Sequence, residues 1–100
     1  MDQIDNIKKM EVIFDKARKN IDDLTENLQQ YHNLQGEIEE LVSYYQSEQW
    51  MRDYTDDEEG KLPADLKRGV LSQDGVYDLL NDEKEMITEL LETVKGYLNK

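Results

Sequence analysis

Cysteine is absent from the 100 residues. That excludes a disulfide framework, thiol chemistry and any zinc site built on cysteine, and it fits a reducing cytoplasm. Histidine occurs once, at His32. A catalytic or metal-binding histidine needs partners, and neither a second histidine nor a cysteine is available. The five glycines are dispersed and form neither GxGxxG nor GxxxxGK[ST], so no phosphate-cradling loop is encoded. No run of about 18 apolar residues exists, so no membrane span is expected. The opening MDQIDNIKKM has no charged stretch followed by an apolar one, so no secretory signal is expected either. Bases are scarce: 12 against 24 acids, a net charge of −12. Such a field repels nucleic acid and anionic lipid, so direct binding to either is not expected.

What is present is helix-forming sequence with an apolar period. From Ile7 the stripe runs Met10, Phe14, Ala17, Ile21, Leu24, Leu28, Tyr31, Gln35, Ile38, Val42 and Tyr45. Steps of three and four alternate, as at the a and d positions of a heptad, and Gln35 is the one polar member. A stripe of this kind persists only by being buried. Asp5 with Lys9, and Asp15 with Lys19, are spaced as i,i+4 ion pairs along the helix. Gly36 costs a helix interior about 1 kcal/mol relative to alanine. Either a break near 33–36 or a bent continuous helix follows, the unslipped heptad phase arguing for near-continuity; the favoured expectation is one helix from about 2 to 33 and another from about 35 to 48. A second apolar set, Val76, Leu79, Leu80, Ile87, Leu90, Leu91, Val94, Tyr97 and Leu98, marks a last helix over about 73–98. The expected fold is all-α: an antiparallel, coiled-coil-like bundle of three main helices in a single domain, with one short helical turn in an ordered link over 50–72.

That link holds the only tryptophan and the only proline. Asp53 to Glu59 carries five acids in seven residues, a density that predicts a solvated loop. An EF-hand fails here: with Gly60 as the loop glycine, Thr55 and Leu66 would stand where carboxylates are required. No metal or cofactor is assigned, although an irregular cation site on Asp53, Asp56, Asp57 and Glu59 can be tested with calcium. Pro63 suits the first position of a helical turn over 63–68, and Gly69 suits a left-handed residue just past it. Lys67 and Arg68 would complement that turn's C-terminus or pair with the acidic link. Ser72 is an N-cap for the last helix. Gly75, in its first turn, implies a close backbone approach, here toward the aromatic cluster of Tyr44, Tyr45, Trp50 and Tyr54.

Two segments carry a resemblance: YYQSEQW at 44–50 and LPADLKRGVLSQDGVYDLL at 62–80. With their helical flanks they are similar to a family of small acidic helical proteins of Gram-positive bacteria that carries a domain-of-unknown-function label. The resemblance implies a compact all-helical cytoplasmic protein and transfers no activity, cofactor or catalytic residue. The functional expectation is thus a non-enzymatic cytoplasmic protein that works through contacts with an unidentified protein partner, a homodimer being one form of this. The candidate surface is Trp50, Tyr54, Asp65, Lys67, Arg68 and Gly75. The alternative is an acidic DNA mimic that occupies the basic groove of a nucleic-acid-binding protein.

Overall fold

The computed structural model describes residues 2–100. They form α1 (Gln3–Tyr45), α2 (Glu48–Glu58), a 3-10 turn (Gly69–Leu71) and α3 (Gly75–Leu98), with no strand among them. The class is all-α. The chain divides into two units, one up to Glu39 and the other from Glu40 to Lys100.

The first unit is helix from Gln3 onward. Asp2 begins it by accepting the Asp5 amide on its carboxylate at 2.8 Å, which satisfies one of the orphan donors of the first turn. The break expected at 33–36 is absent, and α1 runs through Gly36 to Tyr45. One helical glycine costs about 1 kcal/mol. Ending the helix there would orphan up to four carbonyls and four amides, which is the larger penalty. Lys19 turns forward to Asp23 at 2.6 Å rather than back to Asp15, beside an Arg18–Asp22 pair at 2.8 Å. These exposed pairs add only a few tenths of a kcal/mol each. The apolar stripe, expected to be buried in a bundle, is exposed from Ile7 to Leu28, with Phe14 63 % and Leu24 57 % accessible, and half-buried from Tyr31 onward. No residue of α1 is buried.

In the second unit, the residues expected to form a separate helix up to Glu48 are the tail of α1, and α2 begins where that helix was to end. Ser47 makes the corner. Its hydroxyl donates to the Tyr44 carbonyl at 2.6 Å and accepts the Trp50 amide at 3.2 Å. The acidic stretch is helix, not loop. Its charges are offset by neighbours: Asp53 accepts hydrogen bonds from Tyr44 and Gln49, Asp57 pairs with Arg68, and Lys61 reaches Glu59 at 2.7 Å. Gly60, with φ of 74°, then ends α2. The amides of Gly60 and Lys61 fold back onto the carbonyls of Asp57 and Asp56, the paired bonds of a Schellman ending.

The helical turn expected over 63–68 is displaced. Residues 63–66 close one turn through a bond from the Leu66 amide to the Pro63 carbonyl, and the 3-10 turn lies farther on, at Gly69–Leu71. Gly69 therefore opens a turn instead of following one, and its φ is not positive. Leu71 and Val76, at 6 % and 3 % accessibility, are the buried core among the described residues. They sit where the 3-10 turn meets the start of α3. Ser72 repeats the Ser47 arrangement, donating to the Gly69 carbonyl at 3.0 Å and accepting the Gly75 amide at 2.9 Å. The close approach expected at Gly75 is real but made to a different neighbour. A Cβ there would lie 2.4 Å from the Gly69 carbonyl oxygen and 2.5 Å from Ser72 Oγ, not against the aromatic rings.

Candidate interaction surface

Three aromatic residues form a line on the second unit. Trp50 and Tyr54, four residues apart on α2, share one helix face and stack with ring centres 5.2 Å apart and planes at 17°. Tyr45, at the end of α1, meets Trp50 edge-on at 5.3 Å and 77°. Both geometries suit the ring quadrupoles. Each ring also ties its polar end to the segment 70–73. Trp50 Nε1 donates to the Val70 carbonyl at 2.7 Å, Tyr45 Oη donates to the Gln73 carbonyl at 3.2 Å, and Gln73 Nε2 donates to Tyr54 Oη at 3.0 Å. The stack is thus an internal strut that fastens the ends of α1 and α2 to the turn before α3.

Arg68 makes a second fastening. Its guanidinium pairs with the Asp57 carboxylate on α2 and donates to the carbonyls of Pro63 and Leu66, the latter at 3.1 Å. The planar fork of donors lets one side chain satisfy a charge and two carbonyls of the irregular 63–68 segment, of which Pro63 also accepts the Leu66 amide. The ion pair to the acidic link expected of Lys67–Arg68 belongs to Arg68.

A third node joins α1 to α2. Tyr44 Oη donates to Asp53 Oδ2 at 2.6 Å, and Gln49 Nε2 donates to Asp53 Oδ1 at 2.6 Å. Burial, reinforced by the hydrogen bond to Asp53 and its negative charge, pushes the Tyr44 hydroxyl from 10.0 up to about 12. The folded protein therefore holds this proton more tightly than the unfolded chain does. Its contribution to stability is complete below pH 10 and is lost as the pH rises toward 12. Tyr44→Phe should make urea midpoints fall less steeply between pH 10 and 12 than in the parent, with Tyr45→Phe as the comparison. Identical slopes for parent and Tyr44→Phe would show that the bond to Asp53 does not govern this proton.

The six candidate residues are thus divided. Trp50, Tyr54 and Arg68 come together as fasteners, and Gly75 serves the packing of the 3-10 turn against α3. Asp65 and Lys67 are exposed and make no hydrogen bond or ion pair among the described residues. Lys67 borders a shallow apolar groove whose walls include Leu41, Val70, Val76 and Leu79. Of the four acids of the cation hypothesis, Asp53 accepts from Tyr44 and Gln49, Asp57 pairs with Arg68, and Asp56 and Glu59 share Lys61; no three metal-binding side chains converge among the described residues. Sequence reasoning missed Gln73 and the carbonyls of Val70 and Pro63. Backbone acceptors carry no residue-type signal, and a lone glutamine in a loop carries almost none.

A family model described as a domain of unknown function (DUF4298) matches residues 7–93. The chain belongs to this family. The DUF4298 match covers the whole fastened segment from Tyr44 to Gly75 and all but the first residues of α1. No curated protein and no solved structure matches the chain. Among the described residues of this DUF4298 member, no helix is long and apolar enough to cross a membrane.

Proposed function

We propose that the protein is a non-enzymatic cytoplasmic component that works through protein–protein contact, and that its working surface is the apolar face of α1. The observation that carries this reading is the exposure of that face, in which Met10, Phe14, Ile21, Leu24 and Leu28 are each about half accessible or more. A contiguous apolar stripe of this length marks an interaction site. The conspicuous residues of the central segment are less suited to the role, because Trp50, Tyr54 and Arg68 are engaged within their own unit. Lack of cysteine supports the cytoplasmic setting. The DNA-mimic alternative is not favoured, since Asp22, Asp23, Asp53 and Asp57 are held by partners in the same chain.

The test is affinity capture from the native host with the parent chain and with Phe14→Asp/Leu24→Asp. Both positions are exposed, so the double variant should keep the parent's Trp50 fluorescence. It should also lose the captured proteins, its own untagged copies included. An unchanged set of captured proteins would remove the reading.

A further inference from the structure

Resting on the α1 contact reading, we propose that the occupant of this face is a second copy of the same chain, with the two α1 helices antiparallel over residues 7–31. The argument is charge complementarity along the helix. Between residues 8 and 19 lie five bases, Lys8, Lys9, Lys16, Arg18 and Lys19, against two acids, Glu11 and Asp15. Between residues 20 and 31 lie three acids, Asp22, Asp23 and Glu26, and no base. The first half therefore carries an excess of three positive charges and the second an excess of three negative charges. A parallel pair sets like against like along its whole length. An antiparallel pair sets each positive half against a negative one, which steers encounter and fixes orientation. Lys8, Lys9 and Lys16 make no ion pair among the described residues and lie at the outer b and c positions of the heptad, so they add to the complementary field of the two halves and form no pairs across the seam.

The apolar stripe sets the register. With the two-fold axis at Lys19, Met10 faces Leu28, Phe14 faces Leu24, and Ala17 faces Ile21. Each is an a position against a d position, the layer pairing of an antiparallel coil. At the centre the small Ala17 takes the branched Ile21, so bulk is matched by space. The overlap runs to Tyr31, the last apolar member before Gln35, the one polar residue of the stripe. The interface is isologous, as a closed two-fold dimer requires, and it leaves the second unit's fasteners untouched.

A chain without cysteine makes the test direct. Met10→Cys and Leu28→Cys are prepared as full-length chains. Both positions are about half exposed, at 48 % and 47 %, so neither variant disturbs the folded chain. Each is treated with a short bifunctional thiol reagent, alone and mixed with the other. In the proposed dimer the two Met10→Cys thiols stand about 27 Å apart along the axis, at 1.5 Å per residue, whereas position 10 adjoins position 28 of the partner. Cross-linked dimer is expected in the mixture at no less than tenfold the level of either variant alone. Efficient cross-linking of Met10→Cys alone would mean a parallel pair and overturn the proposal. So would sedimentation equilibrium showing a monomer throughout the micromolar range. In that event, loss of a different captured protein by Phe14→Asp/Leu24→Asp would still uphold the contact reading, which separates the two failures.

Discussion

Gly75→Ala is expected to destabilise the unit from Glu40 to Lys100 by about 2–3 kcal/mol, the upper part of the range for overpacking a closed site. The added methyl would meet the Gly69 carbonyl oxygen at 2.4 Å and Ser72 Oγ at 2.5 Å. Neither neighbour can step aside cheaply. The carbonyl is backbone and accepts both the Ser72 hydroxyl and the Ser72 amide. The hydroxyl is fixed between that carbonyl and the Gly75 amide. Relief must come from separating the 3-10 turn from α3, and that opens the buried contact of Leu71 and Val76. Gly36→Ala is the contrasting substitution. Nothing lies within 4 Å of its added methyl, and the residue is inside α1. It should raise helix stability by about 1 kcal/mol. Urea unfolding followed by Trp50 fluorescence reports on the first change, and far-ultraviolet circular dichroism on both. A Gly75→Ala midpoint equal to the parent's would show that the close approach is not maintained in solution.

Trp50→Ala carries the second large effect, a loss of about 2–3 kcal/mol. The side chain is half-buried, which places it below the 3–5 kcal/mol usual for a core tryptophan. Three interactions vanish together: the stack on Tyr54, the edge contact with Tyr45, and the hydrogen bond to the Val70 carbonyl. Trp50→Phe keeps an aromatic ring but removes the donor and part of the stacked area, so it should cost more than about 1 kcal/mol, the usual net value of one hydrogen bond, and less than Trp50→Ala. Denaturant curves by circular dichroism give both values. The measurement also separates two roles for the residue. As a strut, Trp50 lowers stability when removed and leaves α1-dependent capture intact. As a contact for a partner, it would do the reverse.

The all-α class could be read from period and composition, as could the last helix, expected over about 73–98 and observed at Gly75–Leu98. Three features could not. Gly36 weakens a helix locally, but whether the helix stops is a comparison with the cost of new ends, which propensity alone does not supply. The acids from Asp53 to Glu59 read as a loop because their repulsion is visible in sequence, while the groups that offset it come from Tyr44, Lys61 and Arg68, up to 11 positions away. Gly69 and Gly75 look alike as letters. Only the fold shows that one opens a turn and the other makes room for its carbonyl. At the candidate surface rarity of type marked structural fasteners, while the long exposed face was hidden in ordinary heptads that read as core.

The two serine corners bear on how fast the second unit assembles. Ser47 and Ser72 each join a carbonyl three residues back to an amide three residues ahead. Both corners can therefore form from a short stretch of chain with little loop entropy to overcome. The closures of Trp50 onto Val70, of Gln73 onto Tyr54 and of Tyr45 onto Gln73, across 20, 19 and 28 positions, are what bring distant segments together. Contact order is accordingly low, and such topologies fold in microseconds to milliseconds. Local closure favours the corners over the strut, so the expected rate-limiting event is the docking of the 68–73 segment onto the α1–α2 elbow, which refolding rates of Trp50→Ala against Ser47→Ala would check.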